Sequence, residues 1–344
     1  MTKVRPGESP AEHPRAAVME DVAELAGVST MTVSRVLNAP EKVRPETRAR
    51  VLAAVRELGY QPNSAARVLA TGRSGMLGVV SFDTTLYGPA STLFGIEQAA
   101  RDSGYLVSIA SLPVLNRNWI DRGIDRLRSQ SVDGVIVVAP HKSAAEGLRN
   151  LPPGLPVVAA GGGTDLPVPV AAVDQHAGAV RATRHLLSLG HRTVWHLSGP
   201  PNWIDASGRV DGWRSVLEAE GREVPEPLVG DWTAHSGYEI GKRLAREPDV
   251  TAIFVANDHM AMGVLRALRE TGRRVPEDVS VVGFDDVPEA DYFWPPLTTV
   301  RQNFGEVGRQ AFQLLLGRMA GVQDEPRRMV KAELVVREST TVSR

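Results

Sequence analysis

MEDVAELAGVSTMTVSRVLN, residues 19–38, spells two short helices around the turn Ala26-Gly27-Val28-Ser29, the pattern of a helix-turn-helix DNA reader. Met19, Val22, Leu25 and Ala26 recur at helical spacing and predict one stripe to bury. Gly27 permits the turn, and Ser29 is placed to cap the second helix by accepting from a free backbone N–H. In that helix Val33, Val36 and Leu37 form the buried side. Met31, Arg35 and Asn38 project from the opposite side, Ser34 flanks them, and Thr30 occupies the exposed first turn. A helix fits the major groove, where Arg35 can pair with guanine in a bidentate contact worth roughly 1–3 kcal/mol of discrimination. An ordinary helical hairpin would carry the same turn, so the rest of the chain must decide between the two.

Downstream, PETRARVLAAVRELGY (45–60) reads as a third amphipathic helix with Val51, Leu52, Val55 and Leu58 on its apolar side, Pro45 in its first turn and Gly59 at its end. In YQPNSAARVLATGRS (60–74), Pro62 breaks the chain, Asn63 or Ser64 can cap a short helix, and Gly72 stops it. Such a segment is too short to hold as a helix alone and reads as a switchable hinge. Upstream, MTKVRPGESPAEHPRAA (1–17) is polar and Pro-rich, reads as a disordered lead-in, and contains no apolar export core.

From Met76 the texture changes. LGVVSF, YLVSIA, GVIVVA and PVVAA read as buried parallel strands, alternating with helical patterns such as STLFGIEQAARDSG and NWIDRGIDRLRSQ. A second series, TVWHLSG, TAIFVAND and DVSVVGFDD, alternates with helices near 176–189, 208–220, 236–247 and 259–271. The expected fold is an N-terminal all-α headpiece with a hinge helix, then an α/β core of two doubly wound lobes enclosing a cleft at the strand ends.

Composition narrows the function classes. The 344 residues are 42% hydrophobic, enough for more than one domain, and no apolar run approaches the roughly 20 residues of a membrane span. There is no Cys, hence no disulfide framework or thiolate zinc site, and the chain reads as cytoplasmic. The eight His show no HExxH spacing, and no GxSxG elbow or P-loop occurs. Gly161-Gly162-Gly163 follows a strand without the dinucleotide fingerprint, and adjacent Asp285 and Asp286 on a strand point to opposite faces. A non-enzyme without metal or cofactor is expected. Residues 1–73 carry eleven Lys and Arg against eight Asp and Glu, and the remainder 28 against 32, a mildly basic head on a mildly acidic body.

Taken together, residues 18–340 resemble the lactose-repressor (LacI/GalR) family of bacterial regulators. The likeness rests on DVAELAGVSTMTVSRVLN, YQPNSAARVLA, ANDHMAMG and DVSVVGFDD, and it is tightest over GDWTAHSGYE and PPLTTVRQNFGEVG. The resemblance implies a headpiece at 18–61, a hinge helix and linker at 62–75, and a core at 76–340 similar to periplasmic sugar-binding proteins. Its N-lobe is expected at 76–174 and 303–322, and its C-lobe at 175–300 and 323–340. Thr30, Met31 and Arg35 match the base-reading positions, and Ser29, Thr32, Ser34 and Asn38 can reach phosphates. Asn63, Ala66 and Leu69 match the hinge contacts to the minor groove, with Leu69 as the wedge. Leu86, Pro89, Arg209, Trp232, Asn257, Asp285, Gln302 and Phe304 match effector positions. Trp232 would stack on a sugar face and Arg209 would fork to hydroxyls.

Some residues depart from the family pattern. Val18 stands where a capping Thr is usual, Glu20 replaces a Tyr, and Lys142 occupies the position of a sugar-contacting Asp. The implied protein is a homodimeric repressor on palindromic double-stranded operator DNA, without membrane association. A saccharide between the lobes, a β-galactoside or related glycoside, would release it. The alternatives are a purine-type corepressor, which reverses the response, and a free solute-binding protein. A dimer is preferred to a tetramer because no leucine heptads follow the last strand.

Overall fold

The computed structural model describes residues 17–60, 73–113, 116–138, 141–151, 154–163, 166–322 and 326–343. Asn63, Ala66, Leu69 and the side chain of Asn38 lie outside the described residues, as does the lead-in before Ala17. The chain divides between Ser74 and Gly75 into two units.

The first unit holds helices Met19–Ala26, Thr30–Asn38 and Pro45–Glu57. Gly27 turns the chain in the left-handed region at φ 61°. Ser29 caps the second helix, its hydroxyl accepting from Thr32 N at 3.2 Å. Val18 offers no capping hydroxyl to the first helix. There Asp21 reaches back instead, accepting from Val18 N at 2.7 Å, so the start is held from inside the helix. Val22, Ala23, Ala26, Val33, Val36, Val51, Ala54 and Tyr60 form the small core. Leu25 (47% exposed) and Leu52 (39%) fall outside it, contrary to the stripe expected from spacing. Close packing of three short helices uses the arc carrying Ala23 and Ala26, and Leu25 lies on the other side of Val22.

The second unit contains two six-stranded sheets. In the first, β1 (Met76–Phe82), β2 (Leu106–Leu112), β3 (Gly134–Val138), β4 (Val157–Ala160), β5 (Val170–Val173) and β11 (Arg327–Val330) run parallel in the order β2-β1-β3-β4-β5-β11. The second uses β6 (Trp195–Ser198), β7 (Leu228–Val229), β8 (Ala252–Val255), β9 (Ser280–Asp285), β10 (Thr298–Arg301) and β12 (Glu333–Val335). Its order is β7-β6-β8-β9-β10-β12, with only β12 antiparallel. Each sheet thus has the doubly wound order whose switch point lies beside its first strand. The runs of β3, β4, β5, β8 and β9 are buried on both faces, as inner parallel strands require, whereas β2, expected to be buried too, is an edge strand that leaves Leu106 and Ile109 exposed.

The chain passes between the lobes at Asp174–Gln175, at Gln302–Asn303 and at Lys331–Ala332. The last crossing comes later than the expected boundary near 322, because β11 adds to the first sheet before the chain turns to β12. One apolar cluster spans the junction, joining Leu77, Ile136 and Leu315 to Trp213, Phe254 and Phe284. Helices Gln175–Ser188 and Ile204–Ala219 pack so closely that a Cβ at Gly212 would lie 2.4 Å from the His176 carbonyl oxygen. His196 is fully buried there, stacked on Phe254 at 4.6 Å and donating to its carbonyl at 2.9 Å.

Candidate DNA face and ligand cleft

On the second helix of the first unit, Thr30, Met31 and Arg35 are exposed together. Met31 is 64% exposed, and Arg35 Nη2 approaches its sulfur at 3.6 Å. A basic fork beside an apolar tip suits a groove edge, where one seeks guanine acceptors and the other a thymine methyl. Ser29 and Thr32 hydroxyls bond each other at 3.0 Å at the helix start, and Ser34 lies half-buried on its flank. Glu20 is exposed.

In the second unit, a cavity of about 310 Å³ opens between the carboxyl ends of the two sheets. Leu86, Pro89, Arg209, Trp232, Asn257, Asp285 and Phe304 all line it, although they come from six separate stretches of chain. Leu86 and Pro89 stand at the start of helix Tyr87–Asp102, and Phe304 opens helix Phe304–Met319. The Phe304 ring meets Tyr87 edge-on at 5.7 Å.

Trp232 is held in the left-handed region at φ 75° by its neighbours. The Asp231 carboxylate accepts from Thr233 N (2.9 Å) and Oγ1 (2.6 Å), while Thr233 Oγ1 caps the next helix. The indole lies against Gly199, where any Cβ would come within 2.1 Å of the ring. Its buried Nε1 has no hydrogen-bond partner among the described residues. Strained backbone of this kind concentrates at functional sites, and Asp285 (φ 118°) and Asp286 (φ 57°) repeat it at the end of β9. Asp286 turns away to Arg301 at 2.5 Å and Arg337 at 2.7 Å, leaving Asp285 to face the cleft.

Arg209 is 4% exposed, with its guanidinium 4.1 Å over Phe284 and 5.5 Å over Trp232. Its Nε donates to Gln175 at 2.9 Å and its Nη1 to the Ala256 carbonyl. Asn257 caps helix Asp258–Glu270 through Met260 N (2.9 Å) and donates to Trp232 O at 3.1 Å, so capping and lining are compatible roles. Gln302 does not line the cavity, contrary to expectation. Its amide is drawn behind the wall, donating to Asp285 at 2.6 Å and accepting from Gln175 at 2.8 Å.

Lys142 is exposed, with its backbone N donating to Asn202 O at 3.0 Å across the lobes, and it lies outside the lining. The additional carboxylate in the cavity is Asp205, four residues before Arg209 on the same helix. Asp205, Gln175 and Trp203 were all missed from sequence. For Asp205 the i,i+4 spacing to Arg209 was the available signal. Burial pushes the carboxyls of Asp205 and Asp285 upward, Asp285 to about 6, although Arg209 pulls both the other way. Asp258, fully buried behind them, accepts from Thr299 Oγ1 (2.6 Å) and Val287 N (2.9 Å). The cleft presents aromatic faces, one guanidinium and two carboxylates, an arrangement for gripping hydroxyls. No group of three or more potential metal ligands occurs among the described residues, and none of the described helices is long and apolar enough to cross a membrane.

Comparison with known proteins agrees with both halves. Residues 18–63 match the model of bacterial regulatory proteins, lacI family, and residues 183–340 match a periplasmic binding protein-like domain. The HTH-type transcriptional regulator CelR of Thermobifida fusca is 38% identical over 344 residues, covering 95% of this chain and 99% of the relative. A crystal structure of the lac repressor dimer bound to operator and the anti-inducer ONPF superposes with a TM-score of 0.85 at 32% identity, covering 95% of this chain and all of the other. A transcriptional regulator CelR–cellobiose complex gives a TM-score of 0.69 at 35% identity, with 94% and 99% covered. The chain belongs to the lacI family of bacterial regulatory proteins. Its relatives are DNA-binding regulators of transcription rather than enzymes, in keeping with the sequence reading.

Proposed function

We propose that this protein is a homodimeric repressor that holds a palindromic operator until a neutral β-linked disaccharide occupies the cleft. The observation that carries this reading is Trp232 standing beside Arg209 and Asp285 in one cavity of about 310 Å³, within the roughly 300–1,000 Å³ usual for small-molecule sites. The indole offers a flat apolar platform for a pyranose face, and the charged pair offers a donor and an acceptor for adjacent hydroxyls. With two carboxylates to one guanidinium in the lining, the cleft carries no excess positive charge to favour a phosphorylated or acidic effector. The likeness to CelR makes cellobiose the first candidate, ahead of the β-galactoside expected from sequence. On this reading Thr30, Met31 and Arg35 read bases, Ser29, Thr32, Ser34 and Asn38 touch phosphates, and Asn63, Ala66 and Leu69 enter the minor groove. Domain boundaries follow the same proposal: headpiece 18–61, hinge 62–75, core 76–340.

The test is calorimetric titration of the full chain with cellobiose, lactose, cellobiose phosphate and hypoxanthine. A saccharide at 100 times its dissociation constant adds about 2.7 kcal/mol of stability, so a thermal-shift control reads the same event. Binding of a neutral disaccharide supports the proposal. Binding of hypoxanthine alone overturns it in favour of a corepressor.

A further inference from the structure

Arg209 Nη2 and Asp285 Oδ1 stand 3.9 Å apart, beyond direct hydrogen-bond reach. Two glutamine amides in series nevertheless join the two charges. Arg209 Nε donates to Gln175 Oε1 at 2.9 Å, Gln175 Nε2 donates to Gln302 Oε1 at 2.8 Å, and Gln302 Nε2 donates to Asp285 Oδ1 at 2.6 Å. Every bond points from cation to anion, so each polarises the next. All four side chains are buried.

The two amides also have a particular place in the chain. Gln175 opens the helix after the first crossing between lobes, and Gln302 sits in the second crossing, 127 residues later. The bond between them therefore ties two of the strands of chain about which the lobes must pivot. Arg209 Nη1 is occupied by the Ala256 carbonyl. That leaves Nη2 and Asp285 Oδ2 without a hydrogen bond among the described residues, on two side chains that both line the cavity.

We propose that Gln175 and Gln302 are positioning residues that hold Arg209 and Asp285 apart at the span of a vicinal diol and link that span to the angle between the lobes. The proposal rests on the saccharide reading of the cleft. A diol fills the gap by accepting from Arg209 Nη2 and donating to Asp285 Oδ2. Without the amides, the guanidinium and carboxylate collapse into a direct ion pair, and hydroxyls must compete with it.

The experiment uses full-length Gln175→Met, Gln302→Met and the double variant, which keep side-chain length and remove the amides. Cellobiose is titrated by calorimetry, and operator affinity without sugar is measured in parallel. Each single variant weakens cellobiose at least ten-fold, the double variant is no weaker than the poorer single, and specific operator binding persists in every variant, which shows that each is folded. Single variants that bind within two-fold of wild type, or losses that multiply in the double variant, overturn the proposal. Failure of wild type to bind cellobiose sinks cellobiose as the effector but not the amide bridge. The bridge is then judged on the ligand-free protein labelled with ¹⁵N at glutamine side chains. Two slowly exchanging, downfield amide signals support it, one vanishing and the other shifting in each single variant. Rapid exchange of all glutamine side-chain amides in wild type overturns it.

Discussion

Trp203 and Trp232 meet edge to face, with ring centroids 5.5 Å apart and planes at 74°. Trp203 precedes helix Ile204–Ala219 and also forms an antiparallel backbone bridge with His141 of the other lobe. Both indoles thus line the cavity, and Trp203 connects Trp232 to the facing lobe. Trp232→Ala is expected to weaken the saccharide about 100-fold, since stacking and water exclusion are lost together. Trp232→Phe retains the face but removes the unpartnered Nε1 donor, for a loss of about ten-fold. Titration of both variants decides the matter; equal affinities for Trp232→Phe and wild type would show that the ligand does not use the indole N–H.

In the first unit, Arg35 is exposed on the same helix side as Met31 and lies outside the small core. Arg35→Ala is expected to leave thermal stability unchanged and to cost about 1–3 kcal/mol of operator binding at the base it reads. Nonspecific, salt-sensitive binding should survive. Selection from random DNA with wild type and variant checks this, the information lost being confined to one base step in each half-site.

Burial raises the Asp285 carboxyl to about 6, against an ordinary value of 3.8. The native state therefore takes up this proton more readily than the unfolded chain. Its contribution to stability is full below pH 3.8 and disappears as pH rises to about 6, a swing on the order of 3 kcal/mol. Relative to wild type, Asp285→Asn should gain stability at pH 7.5 and lose that gain by pH 4. Saccharide affinity of wild type should fall below pH 6, as the acceptor charge is neutralised, while the variant remains weak and flat. Calorimetry at pH 5, 6 and 7.5 reads both trends.

His196 behaves in the opposite sense. Its pKa is pushed down to about 3 by burial, with Arg209 adding a smaller effect, so the native ring stays neutral while the unfolded one charges below 6.5. Stability present above pH 6.5 is lost as pH falls toward 3, by several kcal/mol. His196→Leu gives up the bond to the Phe254 carbonyl and should lower the melting midpoint at pH 7.5. Its midpoint should then decline less than that of wild type between pH 7.5 and 4.5. Parallel declines would place the acid-sensitive group elsewhere.

Local chemistry made much of this protein legible in advance. Continuous Val, Ile and Ala runs such as those of β3 and β4 marked strands covered on both faces, though the same texture in β2 belongs to a half-exposed edge strand, and Gly27 with Ser29 marked a turn and a cap that the structure contains. Seven expected effector residues line one cavity because ends of parallel strands and starts of helices converge there by topology. What periodicity could not reveal depends on three-dimensional neighbours. Gln302 lies at the right place in the chain, yet its amide is taken by Gln175 and Asp285 behind the wall. Lys142 stands outside the lining, and the carboxylate that does line the cavity besides Asp285 is Asp205, on another element. Leu25 and Leu52 fit a helical stripe, but three short helices bury a narrower arc than the stripe covers.

The most direct test of the central claim is fluorescence anisotropy of the full-length protein on the palindrome recovered by selection, with and without saturating cellobiose. The account predicts that cellobiose weakens operator binding at least ten-fold, and that operator weakens cellobiose binding by the same factor. Unchanged or tighter operator binding by a protein that demonstrably binds cellobiose would contradict it.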